Sequence, residues 1–219
     1  MKMEQNEKKT ASTLAFHHPD FEFDDIAENI FLPIYEVIAT DLLEETGVVS
    51  GQMLDIGCGG GHLGLAVMAQ SKLRCTFMDI NRTAVSCAEE RAAKRGLESR
   101  AEFICASVEQ MPFTDGRFQL IVSRGSMPFW NDQEKAVSEI CRVLAPGGKG
   151  CIGGSLGRPD QREVIMKKMK HYGLACMGGH PERSRALPDE EYIRLGQKCG
   201  CECSVIDDDD RGHWLVFSK

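Results

Sequence analysis

No apolar run in this chain approaches the roughly 20 residues that a membrane-spanning helix needs, so no membrane partner is expected. No secretory leader is expected either. The opening residues MKMEQNEKKT are polar where such a leader would carry its apolar middle. Neither an internal repeat nor a low-complexity linker divides the chain, and no stripe of lysine and arginine is visible. There are 26 basic against 33 acidic residues, a formal net charge of −7 and a pI near 5.4. That balance suits a phosphate backbone poorly, because such a partner is recognised by clustered cations. No nucleic-acid partner is expected.

What is present describes one globular unit. A chain of 219 residues, 42% hydrophobic and 27% charged, suits a single α/β domain with a sizeable core. Residues 1–23 are expected to be a flexible N-terminal segment and residues 24–219 the domain, in a cytoplasmic monomer or homodimer. Ten cysteines are scattered, several in apolar segments (Cys75, Cys87, Cys105, Cys141, Cys151), without the spacing of a disulfide framework. They read as reduced, buried thiols.

Strand and helix alternate, which is the mark of a parallel sheet covered by helices. Ile26, Ile30, Ile34, Ile38 and Leu42 at helical spacing predict one amphipathic helix over residues 24–45. Strands are expected at 53–56, 74–79, 101–106, 118–123 and 149–155. Helices are expected at 62–70, from the cap Asn81 to about Arg95, at 133–144 and at 160–171. Residues 173–187 have little periodicity and read as a loop or lid, after which Pro188 and three acids open a short helix. Residues 201–206 and 213–218 then form a hairpin across the acidic turn 207–212. The expected architecture is three-layered α/β, with a seven-stranded, mostly parallel sheet ending in an antiparallel C-terminal hairpin.

The first strand runs into Leu54-Asp55-Ile56-Gly57-Cys58-Gly59-Gly60-Gly61. Glycines there let backbone amides and a helix N-terminus approach a ligand closely. Gly57, Gly59 and Gly61 give Gly-x-Gly-x-Gly, whereas Gly59, Gly61 and Gly64 fit the dinucleotide fingerprint Gly-x-Gly-x-x-Gly. Asp79, about 20 residues on at the tip of the second strand, suits a ribose diol under either frame. These features alone leave both cofactor types open.

Further stretches resolve the choice. Residues 54–59, Val108-Glu109-Gln110-Met111-Pro112-Phe113, residues 115–123 and Arg142-Val143-Leu144-Ala145-Pro146-Gly147-Gly148-Lys149 together resemble class I S-adenosylmethionine (SAM)-dependent methyltransferases, with a Rossmann-like fold. The resemblance covers roughly residues 24–219, and the closing hairpin agrees with that family's reversed last strand. It is nearest to small members with a stretch like Ser123-Arg124-Gly125-Ser126 to Phe129-Trp130. It implies SAM as cofactor, S-adenosylhomocysteine (SAH) as product, and a small-molecule acceptor. It also implies that Asp55, Gly57, Cys58 and Gly59 face the methionine and ribose portions. Asp79 would hold the ribose, with Ile80 on the adenine face and Ser107, Val108 and Glu109 along the adenine edge. Ser123 and Arg124 complete the implied set. The family often has an acid where Ser107 stands. Alternatives weighed beside methyl transfer are a SAM-sensing module without turnover and a nicotinamide-dependent oxidoreductase.

Methyl transfer asks the protein mainly to align the reactants and exclude water, so the sequence singles out no catalytic residue. Three segments could cover the strand C-termini. They are residues 16–35 with His17, His18, Asp20, Phe31 and Tyr35; residues 124–130; and residues 173–185 with Cys176, His180, Arg183 and Arg185. Phe129 and Trp130 could wall an acceptor or simply pack before the next helix. Cys199, Cys201 and Cys203 alternate as on one face of a strand and read as core-facing thiols, because structural zinc prefers Cys-x-x-Cys pairs and four ligands. No metal site is expected. The run Asp207 to Asp210 reads as a solvated turn lacking the ligand spacing of a calcium loop.

Overall fold

The computed structural model describes residues 23–174 and 186–219. His17, His18, Asp20, Cys176, His180, Arg183 and Arg185, together with the expected flexible N-terminal segment up to residue 22, lie outside the described residues. The N-terminal helix comes first, in pieces: α1 (Phe23–Ile26), a π-helical turn (Ala27–Phe31) and α2 (Leu32–Thr46). Strands and helices then alternate as β1 (Ser50–Ile56), α3 (His62–Ala69), β2 (Lys72–Asp79), α4 (Arg82–Lys94), β3 (Ala101–Cys105), β4 (Phe118–Arg124), α5 (Gln133–Val143) and β5 (Leu144–Gly154). The chain closes with α6 (Pro159–His171), α7 (Asp189–Lys198), β6 (Glu202–Asp208) and β7 (Gly212–Ser218).

The seven strands lie in the order β3-β2-β1-β4-β5-β7-β6. The first five are parallel, and β7 runs antiparallel to both β5 and β6. This is the expected three-layer α/β architecture. One core layer joins α2, α3, α4 and α6 to the sheet through Ile34, Ile38, Leu65, Ala88, Ile165, Val122 and Trp214. The other joins α5 and α7 to the opposite face through Val137, Ile140, Leu195, Ile121, Leu215 and Phe217. Among the described residues, no helix is long and apolar enough to cross a membrane.

The N-terminal helix differs from the single amphipathic helix expected. Apolar residues every four positions drift by about 40° per step around an α-helix, so they cannot keep one face toward the core over four steps. The π turn supplies the missing unwinding, and Ile26, Ile30, Ile34, Ile38 and Leu42 are all buried. Pro33 has no N–H for the carbonyl of Asn29, and Lys168 Nζ donates to that carbonyl at 3.3 Å instead.

Two smaller expectations also change. Strand β5 pairs regularly with β4 from Lys149 onward, but its first residues, around the left-handed Gly147, form a bulge against Phe118. Of the cysteines, Cys58, Cys75, Cys141, Cys151 and Cys201 are buried, while Cys87 is half-buried and Cys105 is exposed at the end of β3. Cys199, Cys201 and Cys203 do not share one strand face. Cys199 caps α7 and only Cys203 lies within β6. Cys199 and Cys203 still pack, partly buried, against the core where Cys201 sits. Among the described residues, no group of three His, Cys, Asp or Glu side chains comes together to hold a metal.

Candidate functional site

The strand order reverses between β1 and β4, and ligands of open α/β sheets sit at such a point, beyond the strand C-termini. The glycine loop leaves β1 there. Gly57, Gly59 and Gly61 have φ of 63°, 51° and 80°, a left-handed region that disfavours any residue with a Cβ. Gly57 is fixed twice over, since a Cβ on it would lie 2.7 Å from Ser126 Oγ. The loop is stitched to β2: Gly57 N and Cys58 N both donate to Met78 O, at 2.8 and 3.1 Å.

Asp79 completes that stitching. Its Oδ2 accepts from Gly59 N at 2.9 Å and its Oδ1 from Asn81 N at 2.9 Å, so one carboxylate holds the loop and the start of α4 together. Burial raises its pKa above the ordinary carboxylate range. Asp55 is buried more deeply. Its Oδ2 accepts from Gly64 N at 3.0 Å, while desolvation and the nearby Asp79 charge push its pKa up to about 7.

The far wall of the loop comes from the N-terminal helix. Tyr35 is stacked on the buried His62 at 5.1 Å, and His62 Nε2 bonds Glu28 Oε2 at 2.8 Å. Desolvation lowers the pKa of His62, and the hydrogen bond from His62 lowers that of Glu28. Arg91 of α4 is the hub. Its guanidinium donates to Asp24 at 2.6 and 2.9 Å, to Glu28 at 3.2 Å and to the carbonyl of Gly60 at 3.0 Å. Arg124, at the tip of β4, donates to Ser155 O at 3.0 and 3.2 Å and lies over the rings of Phe31 and Tyr35. A small cleft, open to solvent, is lined by Tyr35, Asp55, Gly57, Cys58, Gly60, His62, Leu63 and Arg124.

Of the residues singled out in sequence, Asp55, Gly57, Cys58 and Arg124 therefore meet in one cleft, and Gly59 and Asp79 close its β2 side. Ile80, beside Asp79, is 62% exposed. Ser107 Oγ accepts from Glu109 N at 3.2 Å in the turn after β3, and Val108 is buried there. Glu109 commits one carboxylate oxygen to the chain itself. Its Oε1 accepts the N–H groups of Asn131 and Asp132, tying this turn to the loop after β4. Ser123 is wholly buried, with its hydroxyl 2.6 Å from that of Ser126. Trp130 packs into the core and donates Nε1 to Ser126 Oγ at 3.1 Å, while Phe129 stays half-buried.

Sequence reading missed Glu28, His62 and Arg91. A signal for His62 existed: it is the one polar residue opening the apolar run of α3. Arg91 gave none, because its partners lie 31 to 67 residues away.

The methyltransferase-domain family matches residues 54–152. A Methanococcus maripaludis protein described as a SAM-dependent methyltransferase superposes with a TM-score of 0.84 at 29% identity, covering 100% of this chain and 97% of that one. These likenesses support a class I SAM-dependent methyltransferase. It is also 30% identical over 135 residues to norajmaline N-methyltransferase of Rauvolfia serpentina, covering 57% of this chain and 46% of that one. Its identity to a ubiquinone/menaquinone biosynthesis C-methyltransferase of Francisella philomiragia is 28%, covering 67% and 59%. The chain thus spans about half the length of the curated relatives it matches. Neither the oxidoreductase nor the sensing alternative is favoured by these likenesses.

Proposed function

We propose that the protein transfers the methyl group of SAM to a small-molecule acceptor, with the cofactor held between the β2 tip and the N-terminal helix. One observation carries the reading. A buried carboxylate, Asp55, and a guanidinium, Arg124, line the same cleft at the glycine loop. Such a pair suits a zwitterionic amino-acid end: Asp55 for its ammonium, Arg124 and the Tyr35 hydroxyl for its carboxylate. The pyrophosphate of a dinucleotide would instead bring negative charge against Asp55. The remaining parts agree, with Asp79 for the ribose diol, exposed Ile80 for the adenine face, and Ser107 and Val108 along its edge.

When bound, SAM supplies an electrophilic methyl group on a sulfonium. The chain's own residues orient it and exclude water, with the Arg91 hub keeping α1 and α2 closed over Gly60. The relatives are named for norajmaline N-methylation and for C-methylation in ubiquinone/menaquinone biosynthesis, so small molecules are the favoured class. Titration calorimetry tests the cofactor half, with SAM and SAH expected to bind at micromolar Kd and NADH not to bind. No heat with SAM at millimolar concentration would reject it. Incubation with methyl-labelled SAM and a metabolite extract tests the other half, label being expected in a low-mass product.

A further inference from the structure

A run of hydrogen bonds inside the α5–α7 layer ends on the glycine loop. Gln133, the first residue of α5, and Tyr192 of α7 are both buried. Leu187 N donates to the Tyr192 hydroxyl at 3.1 Å, and that hydroxyl donates to Gln133 Oε1 at 2.9 Å. Gln133 Nε2 then donates to the carbonyls of Met127 and Trp130, at 2.8 and 3.4 Å. The two carbonyls bracket a 3-10 turn, Met127–Phe129, just past the tip of β4. Trp130 Nε1 donates to Ser126 Oγ at 3.1 Å, and Ser126 Oγ donates to Ile56 O at 3.4 Å, one residue before Gly57.

The run has a single polarity. Gln133 turns its oxygen to a donor and its amide nitrogen to two acceptors, while the Tyr192 hydroxyl accepts once and donates once. Burial raises the Tyr192 pKa, which keeps that proton in place. A buried amide and hydroxyl cost stability unless they are paired, and apolar side chains of similar size would fill the layer without that cost. What the polar pair adds is register. It fixes the turn against the core, and with it Ser126, whose side chain fills the space where a Cβ of Gly57 would stand. The same stretch is held further on by Glu109, which ties Asn131 and Asp132 to the turn carrying Ser107 and Val108. Residues 126–132 therefore span from the glycine loop to the proposed adenine edge.

We propose that Gln133 and Tyr192 are positioning residues for methyl transfer, because by holding residues 126–130 they set the seat of Gly57 and so the alignment of the cofactor's methionine end. This inference rests on the methyltransferase reading above. Both side chains act through Ser126 and not by touching the cofactor. In-line displacement is sensitive to small misplacements of the reacting centre, so their loss shows in turnover more than in affinity.

Hydrogen exchange with and without SAH decides the matter. Binding at the glycine loop should slow exchange in peptides covering residues 125–132 and also in those covering 186–192, where the Leu187 N–H ends the run. Gln133→Met breaks the run in its middle and leaves the Leu187–Tyr192 bond, so SAH should still protect 125–132 but no longer 186–192. At saturating SAM, label transfer into the extract product should fall about tenfold in this variant, while SAM Kd stays within about threefold of the parent. The double variant Gln133→Met/Tyr192→Phe removes both buried polar side chains together, so it should melt close to the parent and show the same loss of turnover. Parental turnover in both variants overturns the proposal, as does a loss of affinity as large as the loss of turnover. SAH bound to the parent without protection at 186–192, or with that protection persisting in Gln133→Met, refutes this inference alone. Failure of SAH to bind the parent refutes the methyltransferase reading and this inference with it.

Discussion

The two walls of the cofactor cleft are built from different kinds of contact. On the β2 side, Asp79 holds the loop through Gly59, only 20 residues away, and α4 through its near neighbour Asn81. On the N-terminal side, Arg91 reaches Asp24 across 67 residues and Arg124 meets Tyr35 across 89. The first wall is a local solution: strand, turn and helix cap each other wherever that sequence folds. The second exists only once α1 and α2 have docked. The difference implies that the β2 wall sets whether the cofactor binds at all, while the N-terminal wall sets how tightly it is enclosed.

The largest expected effect lies on the local wall. Gly57→Ala meets both a left-handed φ and the Ser126 side chain, so it should weaken SAM binding more than about 100-fold and cost about 1–3 kcal/mol of stability. Calorimetry and thermal melting read the two effects, and a variant with parental affinity would refute the account of the loop. Next comes Asp79→Ala, which removes the partner of Gly59 N and Asn81 N as well as the proposed ribose contact. About 30- to 100-fold weaker SAM binding is expected, with no gain for NADH. A loss smaller than threefold would show that the ribose is held elsewhere.

These two sites are also the ones that sequence made legible. Gly57, Gly59 and Asp79 declare themselves because backbone geometry and strand-end position restrict what can stand there. The central strands β1, β2, β4 and β5 were readable for a similar reason, since burial on both faces leaves apolar runs punctuated by glycine. Less was legible where one residue's role depends on a distant partner. Glu109, expected along an adenine edge, also holds two backbone N–H groups 22 and 23 residues on through one carboxylate oxygen, a link that sequence does not show. His62 could be noticed, but stacking on Tyr35 from another helix could not be foreseen. Nor does the four-residue repeat of Ile26 to Leu42 reveal that a π turn absorbs its drift.

Arg91→Ala tests the long-range wall directly. It releases Asp24, Glu28 and the Gly60 carbonyl together, so α1 loses its main polar tie to the loop. SAM affinity should fall by about tenfold to 30-fold, less than for Asp79→Ala, through the cost of reordering the helix on binding. Limited proteolysis should cut within residues 23–46 faster in the variant, and SAM should restore part of the protection. If affinity falls while proteolysis is unchanged, Arg91 acts on the loop alone and the two walls are not separable in the way argued.

The smallest effect is a pH dependence that belongs to Asp55, where the two walls meet. Its folded-state pKa of about 7 lies well above its unfolded value, so the free protein carries a proton there that the unfolded chain would already have lost. Stability of the free protein therefore declines as pH rises from the ordinary carboxylate range toward 7. A bound ammonium favours the ionised carboxylate, so SAM binding should release this proton and tighten by roughly tenfold between pH 6 and pH 7.5. Desolvation lowers the folded pKa of His62 and the hydrogen bond from His62 lowers that of Glu28, so neither is shifted in the direction of Asp55. Asp79 is shifted in the same direction as Asp55, so the assignment needs a variant. Asp55→Asn should flatten the dependence, weaken SAM binding at pH 7.5 and raise the melting temperature of the free protein at that pH, because a buried charge is gone. Calorimetric titrations in buffers of different ionisation enthalpy would register the proton directly. An unchanged pH slope in Asp55→Asn would move the titrating group to Asp79, on the β2 wall.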